Sequence, residues 1–509
     1  MDGWSSGYVT DISYTHGVYR ELTPAILSFV ALINGICAPD PDEPLAYCEL
    51  GCGQGFSTNL FAAANPRIQF YANDFNPSHI YSARNLAAAA GTQNVHFSDS
   101  SFAEFKNEPG LPQFDLICLH GIYSWISAEN RQHIVDFIRD RLKPGGLVYI
   151  SYNTLPGWAL RMPMRRLMAD HAAKTSGPTA ERVEEALAHV QRLVDVDSRY
   201  FQAVSGLTDA FKQIKQQSRN YLAHEYFNRD LTPLYHADVA EELSEAKLSF
   251  VGSAALLDNL DIVNFTNDQQ TFLQSVQDRT ERETLRDFLL NQQFRRDVFI
   301  KGPVPLTADE SRERWLKMRF VLSTQRDLVP LKVNGALGEA ELQEDAYKPI
   351  LDALAGGART VAQLLEDPNV QAVGWERMMQ AFLVMVGSGH MHPALDEAGD
   401  AARAVSTRAF NLAVMNKGRS TDDLQCLASP VMGGSILTDR FTRLFLLANE
   451  TGHADAPAFA WELLKAQGVK LQKNDEALES DADNLEEMQR VFASYSEKLL
   501  PVMKSLAIA

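Results

Sequence analysis

The sequence predicts an α/β fold whose first third forms a parallel sheet and whose remainder is mainly helical. Strand and helix signals alternate from residue 45 to residue 152, a pattern typical of parallel sheets covered by helices. A glycine-rich turn follows the first strand signal, and only amphipathic helical patterns occur from residue 161 to about residue 223. These three observations indicate a sheet domain with a helical insertion, followed by mainly helical domains.

Five apolar runs are the predicted strands of this sheet, at 45–50, 68–73, 95–97, 114–119 and 147–152. Their near-continuous apolar character indicates strands that are buried on both faces. Between them lie helical patterns long enough for the crossovers that connect parallel strands. The clearest helix begins after Asn76, a good N-cap that is followed by proline, and ends at Gly91.

Composition excludes several classes of function. The 509 residues include 47 basic and 65 acidic ones, a formal charge of −18, which opposes the phosphate contacts of nucleic-acid binding. Five cysteines without C-x-x-C or metal-ligand spacing are typical of reduced cytoplasmic thiols that bind no metal. Neither a secretory signal nor an apolar run of bilayer length is present. We therefore expect a cytoplasmic protein that binds no nucleic acid and does not insert into membranes.

Acidic and small residues lie at the ends of the first three predicted strands, where the ligands of parallel sheets bind. They are Glu49, Gly51, Gly53, Asp74, Asp99 and Ser100. An acid at the second strand end can accept hydrogen bonds from both ribose hydroxyls, and one at the third can accept from an adenine amino group. Each acid also has a plainer interpretation, since Asp74 could cap the following helix and Asp99 could be a turn residue. Their common position at one sheet edge favours a nucleotide-like cofactor.

The first strand and its turn contain the pattern E-x-G-x-G-x-G at 49–55, and a Lys-Pro-Gly-Gly turn occurs at 143–146. Residues 45–150 resemble the core of the class I S-adenosylmethionine (SAM) methyltransferases, which implies a Rossmann-like sheet and SAM as cofactor. The resemblance implies that Glu49 and the glycine turn hold the methionyl part and that Asp74 holds the ribose. It also implies that Asp99 and the backbone beside Ser100 hold adenine, and that the backbone around His120 faces the methionyl amine.

Three other phrases are more specific than the glycine turn. They lie at 14–22 (YTHGVYREL), 120–125 (HGIYSW) and 152–158 (YNTLPGW). They resemble a subgroup that carries a methyltransferase regulatory domain and includes the rickettsial-type outer-membrane-protein lysine methyltransferases. The phrase YLAHEYF at 221–227, which returns to 248–252, resembles the signature of that regulatory domain.

The sequence predicts five segments. They are the first part of the SAM-binding core (1–160), a helical insertion acting as cap or dimer contact (161–224), the regulatory-domain signature with the last core strands at 248–252 and 297–301 (225–303), a winged-helix-like module (304–395) and a C-terminal helical domain (396–509). Because acidic residues surround the winged-helix-like module, we expect it to contact protein rather than DNA.

The residues after the fourth and fifth strands are the candidate acceptor site. Its catalytic candidates are Tyr14, His120, Tyr123, Trp125 and Asn153, with Tyr8, Tyr19, Tyr152 and Trp158 as further aromatic walls. Aromatic faces attract an ammonium group, and a lysine must lose a proton before it attacks, so His16 and His120 are candidate bases. The alternative is that Trp125 and Trp158 only cover the sheet edge.

Asn153 bears on the substrate class, and the neighbouring residues His224 and Glu225 bear on acid/base chemistry. Asn153 begins Asn-Thr-Leu-Pro, which is not the Asn/Asp-Pro-Pro-Tyr motif of methyltransferases that act on nucleobase amines, and this argues against a DNA adenine substrate. His224 and Glu225 could form an acid/base pair, or they could end a helix that is held by polar contacts.

The sequence predicts a SAM-dependent N-methyltransferase that acts on protein or peptide amines, lysine first, by direct in-line transfer. The alternative is a methyltransferase for a small molecule, such as a natural product or metabolite. A third interpretation is a SAM-binding interaction module without catalysis. An open cleft would favour a protein substrate, whereas an enclosed one would favour a small molecule. A homodimer formed through the insertion is also expected.

Overall fold

The computed structural model describes residues 16–474 and 476–509. Tyr8 and Tyr14, two of the predicted acceptor-site residues, therefore lie outside the described residues. The first part of the sheet domain consists of α1 (Pro24–Ile33), β1 (Ala46–Leu50), α2 (Phe56–Ala64), β2 (Gln69–Asn73), α3 (Pro77–Ala90), β3 (Val95–Ser98), α4 (Phe102–Phe105), β4 (Phe114–Leu119), α5 (Ala128–Arg141) and β5 (Leu142–Asn153).

A helical segment separates β5 from the last strands of the sheet. The segment comprises α6 (Met162–Ala172), α7 (Thr179–Asp195), α8 (Arg199–Ala203), α9 (Leu207–Gln216), α10 (Arg219–Tyr226) and α11 (His236–Ser244). The sheet is completed by β6 (Leu248–Ser253) and β7 (Phe294–Lys301), between which lie α12 (Asp261–Asn264), α13 (Asn267–Ser275) and α14 (Arg279–Leu290). The strands predicted at 248–252 and 297–301 are confirmed as β6 and β7.

The strands of the large sheet are arranged in the order β3-β2-β1-β4-β5-β7-β6. Strand β7 runs antiparallel to β5 and β6, whereas the pairs of β1 with β2 and β4, of β2 with β3 and of β4 with β5 are parallel. The strand order reverses between β1 and β4, and ligands of such sheets bind beyond the strand ends at that point. This topology confirms the predicted α/β, Rossmann-like sheet.

The insertion has an apolar core of its own. On α7 the buried residues Val183, Ala186, Leu187 and Val190 recur at helical spacing. They belong to one cluster with Trp125 and Trp158, which follow β4 and β5. Because these two tryptophans reach from the sheet into the insertion, the insertion lies over the carboxyl ends of the strands.

The region after β7 begins with a small α/β module. It comprises α15 (Ala308–Lys317), β8 (Arg319–Leu322), β9 (Lys332–Gly335), β10 (Gly338–Glu341), α16 (Glu344–Leu354), β11 (Arg359–Thr360), α17 (Val361–Leu364), α18 (Pro368–Val373), α19 (Trp375–Gly387) and β12 (Met391–Ala394). Strands β11, β8 and β12 form a small antiparallel sheet in that order. A 3₁₀ turn at Arg326–Leu328 precedes β9.

The C-terminal region is mainly helical, as predicted, and packs against the sheet domain. It comprises α20 (Asp400–Lys417), β13 (Cys426–Ser429), β14 (Gly434–Leu437), α21 (Arg440–Glu450), α22 (Ala456–Lys465), β15 (Gln472–Lys473), β16 (Glu476–Ala477), α23 (Asp481–Lys498) and α24 (Leu500–Ser505). The Asn65 amide donates to the Gly433 carbonyl at 2.8 Å, and the rings of Phe56 and Phe410 stack at 6.2 Å. The region thus supports α2, the helix that follows the glycine turn. Over the described residues, no helix is both long and apolar enough to cross a membrane.

Candidate active site

The turn after β1 has a backbone conformation that glycine adopts readily. Gly51, Gly53 and Gly55 have φ angles of 70°, 54° and 64°, in the left-handed region. A Cβ at Gly55 would lie 2.5 Å from the Cβ of Ala83 and 2.8 Å from the ring of Phe97, whereas one at Gly53 would meet no atom within 4 Å. Gly55 therefore lets α2 begin close to α3, and Gly53 leaves open space above the turn.

Glu49 lies near the end of β1 and is only 4% exposed. Its carboxylate accepts hydrogen bonds from the hydroxyls of Ser57, at 2.9 Å, and of Thr58, which belong to the first turn of α2. Burial raises the pKa of Glu49 to about 7, although the two hydroxyl hydrogen bonds act in the opposite direction. Glu49 thus connects the strand to the helix across the glycine turn.

Asp74 holds the glycine turn from the end of β2. One carboxylate oxygen accepts from the Gly53 backbone N–H at 3.0 Å, and the other accepts from the Asn76 N–H at 2.9 Å and lies 3.2 Å from the Nδ1 of His79. The N-cap of α3 is Asn76, whose side chain accepts from the Ser78 N–H at 3.0 Å. Asp74 therefore does not only stabilise the start of α3, because it also holds the glycine turn that follows β1.

A cavity of about 490 Å³ opens beyond these strand ends. The predicted site residues that line it are Glu49, Gly51, Gly53, Asp74, Ser100, His120, Trp125 and Asn153. The insertion and the segment before it contribute Trp158, Arg161, Tyr221, His224, Glu225 and Tyr226 to the same cavity. The structure thus joins the strand-end residues to residues that lie far from them in sequence.

Three predicted site residues do not line this cavity. One is Tyr152, whose buried hydroxyl donates to the Asp297 carboxylate at 2.7 Å. The Asp99 side chain is 56% exposed and lies 4.0 Å from the Arg84 guanidinium, so its role towards adenine stays a prediction. Tyr123 is completely buried, and its hydroxyl donates to the Glu242 carboxylate on α11. Tyr123 belongs to a different apolar cluster from Trp125, and its contact with the acceptor stays a prediction.

His120 lines the cavity but is a poor base. Its Nδ1 lies 2.7 Å from the Tyr149 hydroxyl, and its ring stacks on Tyr19 at 3.6 Å between centroids. Burial, with a smaller contribution from the charge of Arg296, lowers the pKa of His120 to about 3. Burial also lowers the pKa of His16. Because a base works best when its pKa lies near the working pH, the structure does not support His120 as the base, and the role of His16 stays a prediction.

Asn153 is well placed to contact an acceptor. It is 4% exposed, and its backbone is fixed by a donation to the Ser124 hydroxyl at 2.8 Å and by an acceptance from the Leu234 N–H at 2.9 Å. Among the residues that the structure describes, its side-chain amide makes no hydrogen bond. Its amide is therefore available for a ligand in the cavity.

The catalytic candidates named from the sequence omit the cavity residues of the insertion. Arg161, Tyr221 and Glu225 line the cavity, yet the catalytic candidates come only from the N-terminal phrase and the ends of β4 and β5. The signal that could have found them is the phrase at 221–227, where a histidine and a glutamate interrupt an aromatic and apolar run. His224 and Glu225 both line the cavity, and their interpretation as an acid/base pair stays a prediction.

We expect Gly55→Ala to lower the free energy of unfolding by about 2–5 kcal/mol. The left-handed conformation costs about 1–2 kcal/mol for a residue with a Cβ, and forcing a methyl group into a packed site costs about 1–3 kcal/mol. Gly91→Ala is the matched control, since Gly91 has a φ of 66° but its Cβ would meet no atom within 4 Å. Urea denaturation followed by circular dichroism measures both variants. Equal losses would contradict the role of Gly55 in helix packing.

Comparison with known proteins agrees with this architecture. The family model described as "Methyltransferase domain" matches residues 48–148, and the one described as "Predicted methyltransferase regulatory domain" matches residues 218–301. The protein sll1526 of Synechocystis sp. is 45% identical over 506 residues, which is 99% of this chain and 100% of that protein. The chain belongs to the class I SAM-dependent methyltransferases that carry a methyltransferase regulatory domain.

Two rickettsial proteins are also similar to this methyltransferase. RP789 of Rickettsia prowazekii is 23% identical over 333 residues, 64% of this chain and 59% of that protein. The structure of PKMT2 from Rickettsia typhi in complex with AdoHcy is 17% identical, covers 97% of this chain and 100% of that chain, and has a TM-score of 0.71. At that identity the second likeness shows a shared fold, which extends to the C-terminal region.

The methyltransferase uses SAM as its cofactor, and the residues of the cavity fit it. SAM supplies a methyl group that its sulfonium has already activated. The space above Gly53 admits a ligand close to the backbone, and the buried Asp74 carboxylate at the cavity wall offers an acceptor of the kind that ribose hydroxyls need. The assignment of Glu49, Gly51, Gly53 and Asp74 to SAM stays our proposal, as does that of Ser100 and the His120 backbone.

Proposed function

We propose that this enzyme is an N-methyltransferase for protein or peptide amines, with lysine as the main acceptor. The observation that carries the proposal is the acceptor end of the cavity, which is lined by Trp125, Trp158, Tyr221, Tyr226 and Glu225. Aromatic faces and a carboxylate attract an ammonium group, and the aliphatic stem of a lysine can pack on the rings. A lysine side chain therefore matches both the shape and the chemistry of this wall.

The chain's contribution to the reaction is alignment and control of the acceptor's proton. Direct transfer requires the amine nitrogen to lie in line with the transferred methyl group, and such positioning is worth about 7–11 kcal/mol in favourable cases. Trp125 and Trp158 would fix the acceptor's stem, and the free amide of Asn153 would orient its nitrogen. Water is displaced by the apolar rings, so the amine is not solvated as it attacks.

Two further properties belong to this proposal. The resemblance of the three sequence phrases to rickettsial-type lysine methyltransferases supports a protein substrate. The insertion and the residue before it carry exposed apolar side chains, which supports a homodimer or a substrate contact there. They are Leu160, Val196 and Tyr221, at 53%, 71% and 42% exposure. Such a dimer, and a cytoplasmic location, stay predictions.

We expect the purified enzyme to transfer a labelled methyl group from SAM to lysine-containing peptides and proteins. Mass spectrometry of digests locates the added methyl groups. The control substrate is the same peptide with its lysine amines acetylated, which removes the nucleophile without changing the rest of the chain. Label that appears only on small molecules in a cell extract would contradict the proposal and would favour the small-molecule alternative.

A further inference from the structure

Glu225 is a carboxylate at the acceptor end of the cavity that has no hydrogen-bond or ion-pair partner among the described residues. It lies in the last turn of α10 and lines the cavity together with Tyr221, one turn earlier, and Tyr226. Opposite the α10 side chains stands Trp158, whose ring centroid lies 5.9 Å from that of Tyr226. Glu225 therefore faces the space between the aromatic walls.

Nothing in the described part of the chain neutralises this carboxylate. Within residues 16–474 and 476–509 it accepts no hydrogen bond and forms no ion pair. Burial raises the pKa of Glu225 to about 7, and no compensating contact opposes the shift. A partly buried carboxylate without a partner destabilises the fold, and such groups cluster at functional sites. The arrangement points to a ligand that supplies the missing positive charge.

The other titratable groups around this cavity are less suited to accept a proton. The pKa of His120 is lowered to about 3 by burial and then by Arg296, so its ring is neutral and weakly basic. Burial, followed by the Glu225 charge, raises the pKa of the Tyr221 phenol to about 12. Glu49 is already engaged by the hydroxyls of Ser57 and Thr58. Glu225 combines a pKa near the physiological range with an unoccupied carboxylate.

We propose that Glu225 binds the ammonium group of the acceptor and takes its proton before methyl transfer. This inference rests on the proposed function. The proton moves from the ammonium nitrogen to a carboxylate oxygen, and the N–H electron pair stays on nitrogen. That pair forms the new N–C bond as the methyl carbon leaves sulfur, and the C–S electron pair stays on sulfur. The Glu225 proton then passes to water, which restores the carboxylate.

Several other charged or titratable groups face the same space, and their charges influence any pH dependence that is measured at Glu225. They are Arg161 before α6, Tyr221, His224 and Tyr226 on α10, Asp230 after α10, and His120 after β4. Arg161 acts on the phenols of Tyr221 and Tyr226, whereas burial is the cause that sets the pKa of Glu225. Glu49 also lines the cavity, and burial raises its pKa to about 7 as well, so the Glu225→Gln variant decides which of the two carboxyl groups sets a titration near pH 7.

The first test compares the wild-type enzyme with Glu225→Gln on a lysine peptide. Gln keeps the size of the side chain but cannot take a proton, so kcat at pH 7 should fall by about 10²–10⁴-fold, the usual contribution of a general base. The rise of kcat/KM near pH 7 should disappear, and SAM binding by calorimetry should not change. Glu185→Gln, an exposed acid on α7, is the matched control and should keep the wild-type profile.

Two rescue conditions separate proton removal from simple positioning. A peptide in which S-(2-aminoethyl)cysteine replaces lysine has a less basic amine, and the loss caused by Glu225→Gln should be smaller with it. The loss should also shrink between pH 7 and pH 10, as the lysine amine loses its proton to solvent. An equal loss under all these conditions would overturn the role of Glu225 as the base.

Binding of n-butylammonium provides a readout that does not depend on turnover. In the presence of S-adenosylhomocysteine, the wild-type enzyme should bind this cation at least about tenfold more tightly than Glu225→Gln. Equal binding would overturn the inference even if lysine peptides are methylated. Tighter binding by the wild-type enzyme without methylation of any peptide would contradict the proposed function and leave the Glu225 site supported.

Stability offers a third readout with a defined sign. Burial raises the folded-state pKa of Glu225 to about 7 from an ordinary value of 4.5. The carboxyl group's contribution to stability is therefore complete below about pH 4.5 and is lost as the pH rises through 7. Glu225→Gln should unfold at a higher temperature than the wild-type enzyme at pH 8, and the difference should be smaller at pH 5. A lower unfolding temperature of the variant at pH 8 would overturn the inferred absence of a partner.

Discussion

Replacing Asp74 with alanine should weaken SAM binding by about 100-fold. The Asp74 carboxylate is the acceptor that we assign to the ribose, and a hydrogen bond to a charged group contributes about 1.5–3 kcal/mol. The same carboxylate accepts from the Gly53 N–H at 3.0 Å and from the Asn76 N–H at 2.9 Å. Its loss therefore also loosens the glycine turn against which the methionyl part would lie. Isothermal titration calorimetry measures the change.

Asp99→Ala is the matched control for this experiment. Asp99 follows the neighbouring strand, but its side chain is 56% exposed and lies near Arg84 rather than in the cavity wall. We expect its effect on SAM affinity to be smaller than that of Asp74→Ala. A thermal unfolding curve checks that both variants remain folded. Unchanged affinity of Asp74→Ala would mean that the ribose does not bind at the end of β2.

Replacing Arg295 with alanine should destabilise the sheet domain by about 3–5 kcal/mol, the cost of leaving buried partners of an ion pair without their counter-charge. Arg295, on β7, donates to Asp297 at 2.8 Å, to Asp287 on α14 at 2.7 Å and to Glu283 at 2.9 Å. Its side chain is 7% exposed, and those of Asp287 and Asp297 are 2% and 1% exposed. The variant removes the guanidinium that these acids share, and leaves only His236, 3.1 Å from Asp297, and Arg286, 3.7 Å from Glu283, as basic partners.

The pH dependence distinguishes this network from a packing effect. Burial raises the pKa of Asp297, but the charges of Arg295 and His236 outweigh it and lower the value to about 2. Asp297 thus stabilises the wild-type fold above about pH 4, and this contribution is lost as the pH falls towards 2. In Arg295→Ala the acids can become neutral on acidification. The loss in free energy of unfolding relative to the wild-type enzyme, measured by urea denaturation, should therefore be smaller at pH 4 than at pH 7.

An exposed ion pair serves as the control for Arg295. Arg166 pairs with Asp170 at 2.7 Å on α6, with side chains that are 74% and 47% exposed. Solvent screens such a pair, so Arg166→Ala should leave the urea midpoint unchanged. A deficit of Arg295→Ala that stays constant with pH would contradict a role for unpaired charge and would indicate lost packing alone.

Much of the cofactor side could be predicted from the sequence because it depends on local backbone geometry. Gly51, Gly53 and Gly55 have positive φ angles. The residue types alone predict a short strand that ends in such a turn. Asp74 follows the next strand, and the ends of parallel neighbours meet at one edge. The strands β8 and β12 could not be predicted in this way, since each is only four residues long and β12 contains a histidine and a proline.

The acceptor side of the cavity could not be predicted in this way, because it is formed by contacts between segments that are distant in sequence. Tyr123 and Trp125 stand two residues apart in one 3₁₀ turn, yet one faces α11 and the other faces the cavity. The insertion packs over this turn and determines the direction in which each of the two side chains points. Their spacing in the sequence does not predict these directions. Likewise, the pKa values of His120 and Glu225 are set by burial under segments far away in sequence.

The sequence by itself therefore determined the sheet, the glycine turn and the acid at the second strand end, because short-range sterics and strand order dictate them. Tertiary structure decided which polar groups meet the acceptor and in which protonation state. The physical reason is that desolvation acts through every segment that covers a side chain. Only the folded chain brings α10 over the ends of β4 and β5 and thereby places beside them a carboxylate that no described residue neutralises.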